Sequence, residues 1–89
     1  MYGPSVVEIE KRNRIRLLIA ACMYELADES WISNDEFDKL AKKINPNVST
    51  DNSICDIFFK TEFSPDTSMW IYLFPELDKL KQLINRLKI

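Results

Sequence analysis

The sequence predicts an all-α fold, one compact four-helix domain that opens with an antiparallel helical hairpin, and three observations carry that prediction. One glycine and four prolines in 89 residues are too few for a turn-rich all-β fold or a disordered linker. Capping-box spacings occur twice, Ser5 with Glu8 and Ser33 with Glu36, each placing a serine oxygen on the amide three residues on. Apolar residues recur at helical intervals behind both caps. A chain of this length buries only about 60% of its unfolded surface, so residues 1–89 make a single domain with a thin core.

The first helix is expected to begin near Val6 and run to about Ala27. Ile15, Leu18, Ile19, Cys22 and Leu26 form one apolar stripe. Leu17, Ala20, Ala21 and Tyr24 fall on the opposite side, so the helix is either central in the fold or offers one side to a partner. The small Ala20 and Ala21 beside Tyr24 would let another backbone or a flat ligand come close. Lys11, Arg12, Arg14 and Arg16 crowd about one and a half turns of the first half. Glu8 and Glu10 dilute this cluster and no stacking element accompanies it, so a solvated or salt-bridged face, with Glu10 and Arg14 spaced as an i,i+4 pair, is preferred to a nucleic-acid contact.

Asp28-Glu29-Ser30-Trp31 turns the chain into a second helix, and so short a connection makes the two helices antiparallel neighbours. Trp31 and Ile32 close the turn. Phe37, Leu40, Ala41 and Ile44 form the buried stripe, and Asp35 with Lys39 and Asp38 with Lys42 are spaced for ion pairs. Pro46 ends the helix near Asn45. Thr50, Asp51, Asn52 and Ser53 are all plausible caps for a short third helix carrying Ile54, Ile57 and Phe58, with Phe59 and Phe63 beyond. The run Met69-Trp70-Ile71-Tyr72-Leu73 reads as a loop or a short turn of helix packed on the core. Pro75 suits the first position of a last helix, with Glu76 and Asp78 early and Arg86 and Lys88 late. The stripe Leu73, Leu77, Leu80, Ile84 and Leu87 closes the bundle. Ile15, Leu18, Cys22, Leu26, Phe37, Leu40, Ile44, Ile57, Phe58, Trp70, Leu77, Leu80 and Ile84 are the expected core.

The chain has no histidine, which removes the usual general base and the commonest transition-metal ligand together. Cys22 and Cys55 sit in apolar runs without metal-site or redox spacing and read as buried thiols. Gly3 alone cannot build a phosphate-cradling loop, and the carboxylate pairs Asp35 with Asp38 and Asp28 with Glu29 read as solvated helix ends. No catalytic residue, metal or cofactor is expected, and the chain is not expected to be an enzyme. Its longest apolar run, residues 17–24, is far shorter than the roughly 20 residues that span a bilayer. Together with the lack of an apolar signal core near Met1, this predicts a cytoplasmic protein with no membrane partner.

Two resemblances extend this reading. Tyr24 and the block Ile32-Ser33-Asn34-Asp35-Glu36-Phe37-Asp38-Lys39-Leu40 resemble the helical hairpin preceding the nucleotidyltransferase domain of NAD-dependent DNA ligases. That hairpin binds the nicotinamide mononucleotide half of NAD, and Tyr24 and Asp38 match positions that contact it. Asn34 and Phe37 stand where that family has aspartate and tyrosine, and Glu25 where an aromatic or histidine is usual. The resemblance implies a nicotinamide-nucleotide site at Tyr24, Asn34, Phe37 and Asp38, while the lysine-x-Asp-Gly nucleophile motif of the ligases is absent. The block Asp35-Glu36-Phe37-Asp38, with Phe63-Ser64-Pro65-Asp66-Thr67-Ser68-Met69-Trp70-Ile71 and Pro75-Glu76-Leu77, is similar to a family of small, mostly uncharacterised phage and prophage proteins. It implies an accessory role, of the kind in which a phage protein binds and blocks a host protein, anti-CRISPR proteins among them.

The functional expectation is a non-catalytic binding module whose partner is a host protein complex that handles nucleic acid. Leu17, Tyr24, Trp31, Tyr72 and Phe74 are the expected partner-facing residues, because aromatic anchors carry most interface energy. A homodimer is the competing way to cover such a face. Nucleic acid, through Lys11, Arg12, Arg14 and Arg16, ranks below both.

Overall fold

In a computed structural model, which describes residues 5–27, 31–50 and 52–87, residues 17–22 are buried without a break. At 3.6 residues per turn such a run covers every side of a helix, so this helix is the central element. It is α1 (Val6–Leu26), capped by the Ser5 hydroxyl, which accepts from the Glu8 amide at 3.2 Å. Three further α-helices follow, α2 (Asn34–Lys43), α3 (Ser53–Thr61) and α4 (Leu77–Leu87), with a 3-10 helix at Met69–Leu73 between the last two. No strand occurs among the described residues, and the radius of gyration of 12.8 Å is close to the value of about 12 Å expected for a compact chain of this length. α2, α4 and the 3-10 helix pack against α1. The all-α fold is therefore as the composition and caps predict.

α1 and α2 run antiparallel. The residues after α2 meet the start of α1, where the Asn45 amide donates to Glu10 at 3.0 Å, while the start of α2 lies beside Ala20 and Tyr24 near the end of α1. The turn residues Asp28, Glu29 and Ser30 lie outside the described residues, as do Asp51 and Lys88. The Asn52 side chain caps α3 by accepting from the Cys55 amide at 3.1 Å. The α4 start differs from expectation. Phe74 precedes a proline and is extended, with ψ at 122°, and Pro75 and Glu76 form a turn, so the helix begins at Leu77.

The core departs from the expected stripes in ways that follow from the central position of α1. Ile15, Leu26 and Ile57, expected in the core, are exposed, and Phe37, Leu40 and Leu77 are only partly buried against it. Ile15 borders a shallow apolar groove with Leu18 and Cys55. Leu17 and Phe74, expected to face a partner, are buried instead, Leu17 completely. Phe74 is held there by an aromatic cluster. Its ring meets Phe58 at 5.1 Å, Phe58 meets Phe59 at 5.4 Å and Trp70 at 5.9 Å, and Phe63 meets Trp70 at 5.2 Å. Edge-to-face geometry in all four pairs suits the ring quadrupole and adds about 0.5–1.5 kcal/mol per pair beyond area burial.

Arg14 forms the expected i,i+4 pair with Glu10, but on a buried face in place of a solvated or salt-bridged surface one, and it is 2% exposed. Its Nε donates to Glu10 Oε2 and its Nη1 to Asp56 Oδ1, both at 2.7 Å, and its Nη2 donates to the carbonyls of Asn45 and Val48 at 3.1 and 3.0 Å. The guanidinium also lies over the Phe59 ring, 5.0 Å from its centroid. Glu10, itself 4% exposed, takes the Asn45 amide, and Asp56 takes the Thr50 amide and, at 2.8 Å, the Thr50 hydroxyl. The connector from α2 to α3 is thereby fastened to α1 through backbone groups that would otherwise need water. No buried side-chain nitrogen or oxygen among the described residues is left without a partner.

Burial alone would raise the Asp56 carboxyl, but the Thr50 hydroxyl, the Arg14 guanidinium and the Thr50 amide outweigh it and hold the group below its ordinary value. A lowered folded-state value contributes stability that is complete above the unfolded value and disappears as pH falls through the folded one. Asp56→Asn is accordingly expected to flatten the acid limb of the urea-stability profile below the ordinary carboxylate range. Arg14→Ala strands Glu10 and is expected to cost about 3–5 kcal/mol, against about 0.5 kcal/mol or less for the exposed Arg12→Ala and Arg16→Ala. Since a domain of this size holds only about 4–13 kcal/mol in total, urea melts should show Arg14→Ala far weaker than either control.

Candidate functional site

The hairpin that the Arg14 network closes at one end carries a cleft at the other. There the end of α1, the start of α2 and residues 66–68 enclose a cleft of about 330 Å³. α1 supplies Ala20 and Tyr24. Ala20 is buried, and its small side chain leaves the floor low. α2 supplies Asn34, Phe37 and Asp38, in the spacing that sets i, i+3 and i+4 on one face. Trp31 and Ile32 enter from the residues just before the α2 cap, and Asp66, Thr67 and Ser68 form the facing wall.

Local chemistry fixes each wall. Ser33 caps α2 by accepting from the Glu36 amide at 3.1 Å, and Glu36 returns to the Ser33 hydroxyl at 3.3 Å instead of to the cap amide. The facing wall is tied to α1 by Glu25. Its Oε2 accepts from the Ser68 hydroxyl at 2.6 Å, and its backbone carbonyl accepts from the Tyr72 hydroxyl at 3.1 Å. Trp70 donates its indole N–H to the Thr67 carbonyl, so the same wall is anchored from the core side. Desolvation and the neighbouring Glu25 carboxylate push the Tyr72 phenol above its ordinary value.

Two features of the cleft define its chemistry. Tyr24 and Trp31 are 53% and 44% exposed, which leaves large ring surface open to an occupant, and Phe37 is half-buried beside them. Asp38 and Asp66 face the same space, neither carboxylate has a hydrogen-bond or ion-pair partner among the described residues, and no lysine or arginine lines the cleft. The ion pairs expected at Asp35–Lys39 and Asp38–Lys42 do not form, so Asp38 keeps its charge free for the cleft. Among the described residues no group of three or more histidines, cysteines or acids is placed to hold a metal ion.

The structure brings together Tyr24, Asn34, Phe37 and Asp38, and adds Trp31 from the expected partner-facing set. Tyr72 stands outside the lining but is half-exposed next to it, with its hydroxyl engaged by Glu25. Leu17 and Phe74 are excluded by burial. Lys11, Arg12, Arg14 and Arg16 do not form one patch: Arg14 is internal, Arg12 and Arg16 are exposed, and Lys11 is partly buried. Sequence reasoning did not find Glu25, Asp66, Thr67 or Ser68, because residues 66–68 reach the hairpin only through tertiary packing. Among the described residues no helix is long and apolar enough to cross a membrane. Comparison with known proteins finds no matching family model, curated protein or solved structure.

Glu25→Ala removes the Ser68 tie and the longer Tyr72 contact to Oε1 at 3.4 Å, and leaves the backbone tie to Tyr72 in place. It is expected to lower stability by about 1–2 kcal/mol in urea melts, the range for one or two hydrogen bonds. In an ultraviolet titration it should also bring the Tyr72 phenol down toward its ordinary value, since removing a nearby anion favours phenolate.

Proposed function

We propose that the chain is a small non-catalytic accessory protein of phage or prophage type, acting in the cytoplasm of the host cell. It docks on a host protein complex that handles nucleic acid and acts as an inhibitor, in the manner of anti-CRISPR proteins. The observation that supports this reading is the cleft at the turn end of the hairpin, where Tyr24 and Trp31 expose their rings beside carboxylates that no described side chain pairs. Aromatic anchors beside a concave site are the usual centres of binding energy at interfaces. The phage resemblance of residues 63–71 and 75–77 supports the class of partner by association.

A second reading has its own support. Tyr24, Asn34, Phe37 and Asp38, the positions that the ligase-like resemblance marks for nicotinamide mononucleotide, all line this one cleft. Under that reading the rings would stack on the pyridinium and Asp38 would balance its charge.

Affinity capture from the natural host's lysate tests the docking reading. The expected result is a reproducible host complex retained by the wild-type chain and lost with the double variant Tyr24→Ala/Trp31→Ala. Retention of the same complex by the double variant, or a chain that light scattering shows as a stable homodimer with these rings covered, contradicts it. Titration with nicotinamide mononucleotide to beyond the roughly 1 mM weak limit, followed by NMR, tests the second reading. Shifts confined to Tyr24, Asn34, Phe37 and Asp38 support it, and silence removes it.

A further inference from the structure

The cleft combines two kinds of group that separately would say little. Trp31, Tyr24 and Phe37 offer aromatic surface, whose negative ring faces attract cations, with tryptophan the strongest of the three. Asp38 and Asp66 add two carboxylates that no side chain of the described chain neutralises. Among the described residues no lysine or arginine lines the cleft, so its exposed acids face an occupant without a competing cation. Asn34 adds an amide that can accept a hydrogen bond through its oxygen. The volume of about 330 Å³ lies at the small end of the range for ligand sites and has room for a long side chain.

Resting on the docking reading above, we infer that the cleft is the receptor for a single arginine side chain presented by the protein partner. Arginine fits better than lysine because its guanidinium is planar. It stacks flat on Trp31 or Tyr24 while its forked N–H groups reach a carboxylate, and a compact ammonium does only the second. The chain already uses that combination once. Arg14 lies over the Phe59 ring and donates to Glu10 and Asp56. In the cleft the ring surface and the acids are present and the cation is supplied from outside. The tie of Ser68 and Tyr72 to Glu25 holds the Asp66 wall in place before the partner arrives, so little ordering entropy is lost on binding.

The probe for this inference is N-acetyl-arginine amide, titrated into the isotope-labelled protein to about 10 mM, past the weak limit of roughly 1 mM. The Trp31 indole N–H and the Asn34 and Asp38 amides should shift with a saturable curve that weakens as salt rises, while the distant Asn45 amide stays fixed. N-acetyl-citrulline amide, the uncharged isostere, should bind at least about tenfold more weakly, the loss expected for one charge-assisted contact. Asp38→Asn, on an exposed helix face, should weaken the arginine probe by a similar factor without altering the rest of the spectrum. Silence toward the arginine probe, or equal response to the citrulline probe, overturns the inference. Either result can coexist with capture that depends on Tyr24 and Trp31, in which case docking holds and the cationic anchor is wrong. A response to nicotinamide mononucleotide alone likewise overturns it and favours the nucleotide reading.

Discussion

The buried guanidinium of Arg14 is the constraint on which the rest of this fold depends. A cation removed from water is costly unless its donors and charge are both met, and here two carboxylates, two backbone carbonyls and a ring face meet them. Those groups come from α1 itself, from the stretch after α2, and from α3. Satisfying one side chain therefore fixes where three parts of the chain meet. After Ile44, which packs in the core, the connector is mostly polar through residue 50, and Asn45, Val48 and Thr50 bond to this network. A hydrophobic replacement of similar volume could match the packing but would leave the two carbonyls and the carboxylates unpaired.

Closing the hairpin firmly at one end shapes the other. α1 is enclosed through residues 17–22, and past Cys22 its covering thins, so Tyr24 and Leu26 emerge toward solvent. α2 begins at this level with a capped first turn, and Glu25 holds the 3-10 helix against α1. A small residue, Ala20, sits where the three converge. The cleft is thus a by-product of packing α2 and the segment leading into the 3-10 helix on a central helix. The aromatic and acidic residues placed on it are what suit it to the proposed role in docking.

Much of the fold was legible in the residues. Ser5 and Ser33 cap as their spacing predicts, the helices follow in the expected order, and the Met69–Leu73 run is a short helical turn on the core. Burial was less legible, because a helix apolar on both sides does not declare which side faces out. Leu17 was assigned to the outer side and is fully buried, while Ile15, on the stripe expected to be inside, borders the open groove beside Leu18 and Cys55, and Leu26 is exposed at the α1 end. Arg14 was hidden for a related reason. Its local neighbours Lys11, Arg12 and Arg16 make a basic segment, whereas its partner Asp56 lies 42 residues away and no local pattern announces it. The hairpin half of the cleft could be anticipated from Tyr24, Asn34, Phe37 and Asp38. The Asp66 wall could not, since only the Glu25 contacts bring it there.

Native-state hydrogen exchange tests the central claim, that a buried arginine network and not apolar packing alone holds the connector to α1. The amides of Asn45 and Thr50, donors to Glu10 and Asp56, should exchange as slowly as amides in the enclosed part of α1, and in Arg14→Lys they should lose that protection first. Exchange of these two amides at the rate of an open loop in the wild-type chain would contradict the account.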